Sequence, residues 1–167
     1  MRHLANHDQL TGLLTRRRFE DRAQNLLSRS QHYNFPMTMI MMDLDDFKEI
    51  NDQYGHASGD EVLSKTGDII QECLREADLA CWYGGEEFCV LMPETDVDAA
   101  RNPADRILDT LSKTRFTTDE GTSYSITCSL GLAEQRSSGD TFEDLYQRAD
   151  QALYKAKESG GNCLVVS

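Results

Sequence analysis

Two adjacent carboxylates, Glu86 and Glu87, follow directly on Gly84 and Gly85, between apolar runs at 79–83 and 88–92. Gly-Gly between two such runs predicts a two-residue hairpin turn, because glycine accepts the positive φ that such turns require. A hairpin tip is exposed and rigid, so acids placed there point outward. Neighbouring strand residues face opposite sides of a sheet, so Glu86 and Glu87 need not share one task. Upstream, the apolar run 37–42 ends in Asp43-Leu44-Asp45-Asp46. That pattern predicts a buried strand over 37–44 that delivers carboxylates to a sheet edge. Hard divalent cations such as Mg²⁺ take oxygen ligands, commonly one or two carboxylates together with substrate phosphates. Asp43 and Glu86, brought together by strand pairing, suit such an ion. Solvated turn acids are the alternative reading, since most Asp and Glu are simply exposed.

The elements that must hold these acids are legible in outline. Phe19, Ala23, Leu26 and Leu27 mark a first helix. Ser58 and Glu61 have capping-box spacing, which predicts a helix opening there with Val62, Leu63, Thr66, Ile69, Ile70, Cys73 and Leu74 on its apolar face. Ala100, Ala104, Ile107, Leu108 and Leu111 line another helix, which Pro103 is expected to kink by removing a hydrogen bond. Clean alternation over 123–133 predicts a half-buried strand. A last helix from 142 to 158 should end at Gly160-Gly161, before a short strand at 164–166. Helices mixed with an antiparallel hairpin define an α+β class: a mixed central sheet flanked by helices.

Composition narrows the classes of function. A chain of 167 residues with 39% apolar and 28% charged residues reads as one soluble globular domain, 1–167. It has no apolar run of the roughly 18 residues that would span a membrane. The net charge of −12 argues against a binder of nucleic acid polymers, although a nucleotide can still be held through a cation. Five cysteines without paired metal-type spacing suggest free thiols in a reducing, cytoplasmic setting. Cys81, Cys89 and Cys128 fall in apolar strand patterns and are expected to be buried.

The chain resembles the GGDEF, or diguanylate cyclase, family, with the signature written here as GGEEF. The resemblance runs from about Asp8 to Asn162. It includes 8–13, the long block 43–52, Tyr54-Gly55-His56, Gly59-Asp60, 83–88, Ser129-Leu130-Gly131, Ala149-Asp150 and 154–157. It implies a βαββαβ core like that of nucleotidyl cyclases, ferredoxin-like folds and polymerase palms. It also implies condensation of two GTP into cyclic di-GMP and two pyrophosphates. Two Mg²⁺ (or Mn²⁺) ions per site would be held by Asp43, the Leu44 carbonyl and Glu86. Glu86 is also the candidate base, Glu87 an orienting acid, and Lys48 a phosphate contact. Asn51, His56 and Asp60 match contacts to guanine and ribose, and Gly84 and Gly85 lie against the substrate. Asp60 would equally complement a helix dipole. Asp8 is expected to tie the N-terminal turn to an arginine.

Arg75 and Asp78 lie at the family's offset for an inhibitory cyclic di-GMP site, with Arg106 as a secondary arginine. Guanidinium forks suit phosphate and the guanine edge. A helix C-terminus carrying a stray arginine is the plainer alternative. Two departures stand out. Trp82 occupies a position usually held by Arg, and Gly161 replaces the arginine of a Gly-Arg-Asn ending, where Lys157 is expected to cover the triphosphate. Both bear on GTP affinity. The leading expectation is an active homodimeric cyclase with product feedback. The alternative is a silent receptor for cyclic di-GMP or GTP. A sensor or dimerising segment is expected to lie elsewhere.

Overall fold

The computed structural model describes residues 6–136 and 139–167. The central sheet grows from β1 (Met37–Leu44), which pairs antiparallel with β3 (Glu87–Pro93) on one side and β6 (Cys128–Glu134) on the other. β2 (Leu79–Gly84) closes one edge and β7 (Leu164–Val166), parallel to β6, the other, giving the order β2-β3-β1-β6-β7. The βαββαβ strands thus stand as expected in a mixed sheet. A separate small ribbon joins β4 (Phe116–Thr117) to β5 (Ser123–Tyr124).

Alternation along β1 sorts the core into two layers. Ile40, Met42 and Leu44 face α2 (Phe47–Tyr54), α3 (His56–Cys73) and α4 (Val97–Lys113), and pack with Phe47, Ile50, Val62, Ile70, Ala104 and Ile107. Met37, Met39 and Met41 face α1 (Arg16–Tyr33) and α5 (Phe142–Glu158), and pack with Phe19, Ala23, Leu145, Ala149 and Leu153. Asp43 continues the Met37–Met39–Met41 face, so it emerges beneath the C-terminal end of α5.

Helix α5 is tightly seated. A Cβ on Gly131 would lie 2.1 Å from the Ala149 carbonyl oxygen and 2.3 Å from the Leu153 nitrogen, so glycine is what lets α5 backbone rest on β6. A reciprocal Thr141–Asp144 capping box starts the helix.

Several local expectations change. The hairpin turn residues are Gly85 and Glu86, not Gly84 and Gly85: Gly84 still pairs with Glu87, across a bulge at Tyr83. The helix with the Ser58–Glu61 pair begins earlier, at His56 behind Gly55, with no side-chain cap. The segment 123–133 is two strands, because β5 leaves to pair with β4. β6 is buried on both faces, not half-buried, since helices cover both sides. Asp8 accepts from the N–H and the hydroxyl of Thr11, each at 2.8 Å, so its turn closes on threonine. α4 runs without a break through Pro103. Cys81, Cys89 and Cys128 are buried thiols.

Candidate active site

At the hairpin end of the sheet, Asp43 lies directly across from Glu87 on β3 and from Ser129 on β6. Like charges on facing strand positions repel, so this pairing calls for a cation. Glu86 sits next to it in the turn, and its carbonyl oxygen accepts the Leu44 N–H at 3.1 Å. That bond fixes the hairpin tip to the end of β1. Gly84 and Gly85, at φ +131° and +55°, have open space where a Cβ would stand. The Trp82 indole N–H donates to the Gly85 carbonyl at 2.9 Å and braces the tip from below.

The cation present is Lys157, on the last turn of α5. Its Nζ is 2.7 Å from Asp43 Oδ1, 3.4 Å from the Leu44 carbonyl oxygen and 3.4 Å from Asp45 Oδ1. Lys157 therefore lies against the acids and the β1 carbonyl, and one ammonium already meets two of the oxygens expected to hold a metal. That convergence of a carboxylate and a carbonyl on a single positive centre fits a hard divalent ion.

One ammonium does not neutralise the cluster. Burial pushes the Asp43 carboxyl upward, and the charges of Asp45 and Asp150 add to this; Lys157 offsets only part of it. Burial and the Asp43 charge raise Glu86. Burial, then Asp43, Asp150 and Glu86, raise Glu87. Burial alone would lower Lys157, but the bond to Asp43 and the charges of Asp43 and Asp45 hold it above its ordinary value.

Asp45 and Asp150 are the residues that sequence reasoning missed. Asp45 accepts from the Thr127 hydroxyl at 2.7 Å, the Ser129 hydroxyl at 2.7 Å and the Asn162 N–H at 2.9 Å. Burial would raise its carboxyl, but these three donors bring it below the usual range. The Asp-x-Asp spacing at the end of β1 was a signal for it; its partners were not. Asp150 was visible only as part of the Ala149-Asp150 pair.

The remaining candidates lie on the other face. Asp46, at φ 57°, turns the chain into α2, which carries Lys48, exposed, and Asn51. A Cβ on Gly59 would fall 1.9 Å from Asn51 Oδ1, so the Asn51 amide nests against the first turns of α3, which also present His56 and Asp60 to solvent.

Arg75, Asp78 and Arg106 form a separate group beyond the end of α3. Arg75 donates to Asp78 through its backbone N–H at 2.8 Å and its guanidinium at 2.9 Å, and also to the Pro93 carbonyl at 2.8 Å. The Asp78 side chain is fully buried while the Arg75 side chain is 54% exposed, so the arginine keeps a free face toward solvent. Arg106 reaches over from α4 to the Cys73 carbonyl at 2.7 Å, two residues from Arg75.

A pair of strand ends carrying opposed, half-buried acids, under a helix that brings a lysine, is the architecture of a nucleotidyl cyclase domain. The family model described as "Diguanylate cyclase, GGDEF domain" matches residues 5–163, and the chain belongs to that family. The response regulator PleD of Caulobacter vibrioides is 41% identical over 163 residues, which cover 97% of this chain and 36% of PleD, so the chain spans little more than a third of that relative. The GGDEF domain of DgcB from Caulobacter crescentus, solved in complex with c-di-GMP, has a TM-score of 0.93 at 27% identity over 97% of this chain and 93% of that one. The active GGEEF domain of a diguanylate cyclase from Vibrio cholerae has a TM-score of 0.86 at 31% identity over 95% and 97% of the two chains. Among the described residues, no helix is long and apolar enough to cross a membrane.

Proposed function

We propose that this domain is a diguanylate cyclase that joins two GTP molecules into cyclic di-GMP and releases two pyrophosphates. The observation that carries this reading is the meeting of Asp43, the Leu44 carbonyl and Glu86 at one sheet end, with Asp43 and Leu44 already sharing one ammonium. Asp43, the Leu44 carbonyl and Glu86 would hold Mg²⁺ or Mn²⁺, two per site, and such ions would make the ribose hydroxyl more acidic and offset charge on the leaving oxygen.

The chain's own groups do the rest. Asn51 and Asp60 offer an amide and a carboxylate to the guanine edge, and His56 lies close by for the ribose. Lys48 and Lys157 bring positive charge to the phosphates, and Gly84 and Gly85 let the triphosphate approach the backbone. Each ribose 3′-oxygen bonds to an α-phosphorus as the bond to pyrophosphate breaks. The hydroxyl proton passes to Glu86, a carboxylate at the hairpin tip whose basicity burial and the Asp43 charge increase. Glu87 orients the site from across Asp43. One domain offers one such site while the product joins two guanylates, so two copies face each other as a homodimer.

Arg75, Asp78 and Arg106 form the product-feedback site. The exposed face of the Arg75 guanidinium and the neighbouring Arg106 suit phosphate and a guanine edge. A silent receptor is the second reading. It is favoured by Gly161 and Trp82, which stand where the family usually carries arginines. Incubation with GTP and Mg²⁺, followed by chromatography, separates the two: cyclic di-GMP appears if the domain is a cyclase, and unchanged GTP remains if it is a receptor.

A further inference from the structure

We infer that Lys157 occupies the cation seat of the metal-free site and competes with the divalent ion, so that metal enters together with nucleotide and not ahead of it. This inference rests on the metal assignment made above. The ammonium lies on Asp43 Oδ1 and near the Leu44 carbonyl oxygen, the same two atoms assigned to the ion. Two positive centres cannot share one carboxylate oxygen at contact without strong repulsion, so ion and ammonium exclude each other there.

Burial and bonding favour the lysine as the partner that moves. Asp43 and Asp45 side chains are only 15% and 13% exposed, while that of Lys157 is 34% exposed. Asp45 is pinned by Thr127, Ser129 and Asn162, and α5 is fixed on β6 by Gly131. The carboxylates stay, and the flexible lysine stem swings out. In the nucleotide-free chain the displaced ammonium gains no anionic partner beyond the acids already around it, Asp45 among them. A bound triphosphate gives it anionic oxygens, so the nucleotide removes the competitor for the metal seat. Lys157 then couples the two ligands, and its removal should loosen that coupling.

Mn²⁺ binding to the whole chain, read by electron paramagnetic resonance of the free ion, tests this without turnover. Without nucleotide, Lys157→Met and Lys157→Gln should each bind Mn²⁺ more tightly than the parent chain, on the order of tenfold, as expected when a contact charge is removed from a partly buried site. With an α,β-methylene analogue of GTP present, whose α–β bridge cannot be broken by the attack, that advantage should vanish or reverse. Circular dichroism of both variants verifies that they are folded. Equal Mn²⁺ affinity in parent and variants would overturn the competition while leaving the metal assignment intact. Mn²⁺ binding that survives Asp43→Asn in every background would overturn both, because the ion would then sit elsewhere.

Discussion

The backbone N–H of Asn162 donates to Asp45 Oδ2 at 2.9 Å, across 117 residues of sequence. This bond folds the turn after α5 over the end of β1, and so sets where Lys157 starts its reach toward Asp43. Gly161 makes the bond possible: its φ is +77°, and a Cβ there would lie 2.9 Å from the Asp45 carboxyl carbon. Gly161→Ala should therefore destabilise the fold by roughly 1–3 kcal/mol, from positive-φ strain and a crowded carboxylate. Urea denaturation measures it, and an unchanged midpoint would mean that the turn relaxes freely.

The raised carboxyls give a stability consequence with a definite sign. Glu86 and Glu87 are pushed up by burial and by Asp43. The folded chain therefore holds protons more tightly than the unfolded chain. The stability gained from those protons is complete below the ordinary carboxyl pKa and is lost as pH rises through the raised folded values. Thermal melts of the metal-free chain should fall from mildly acidic pH toward neutral pH. Glu86→Gln should flatten that fall and raise the melting temperature near pH 7, while Asp43, Asp45, Glu87, Asp150 and Lys157 continue to face the site. A lower melting temperature in the variant would contradict the sign.

How much of this was legible follows from where each partner lies in the chain. The strand that ends at Asp43, the hairpin over 79–92 and the long helices are written in local pattern, and these elements form there, with the turn and one helix start displaced. The one-residue shift of the turn was not legible, because it depends on a bulge at Tyr83 that only the pairing of Gly84 with Glu87 reveals. The split at 125–127 was hidden for a similar reason: Thr127 turns aside to bond Asp45, and the alternating pattern continues through it. Asp45 has partners 82, 84 and 117 residues away, beyond any motif window. Lys157 was assigned to phosphate by its place in a motif, and only the packing of α5 on β6 shows it on Asp43 as well.

Arg75→Ala should abolish cyclic di-GMP binding while sparing the initial rate, since Arg75 lies beyond the far end of α3 from the metal candidates. It should also cost roughly 1 kcal/mol of stability, because buried Asp78 and the Pro93 carbonyl each lose a donor. Calorimetry with cyclic di-GMP decides the first part, and binding as tight as that of the parent chain would reduce the Arg75–Asp78 pair to a helix-end clasp.

If each domain carries one GTP site, dilution should suppress turnover. Specific activity is expected to rise with protein concentration, in step with dimer formation followed by sedimentation. Constant specific activity across a monomer–dimer transition would show that one chain completes the reaction by itself.

If the acids joined at the ends of β1 and the hairpin perform the chemistry, loss of the Glu86 carboxylate must stop it. Turnover of GTP to cyclic di-GMP by Glu86→Gln tests it most directly, measured beside the parent chain at equal concentration with Mg²⁺ and with folding verified. Loss of roughly two or more decades of rate is expected, the scale for removing a catalytic proton acceptor. Parent-level turnover in Glu86→Gln would contradict the assignment and place the chemistry elsewhere on the molecule.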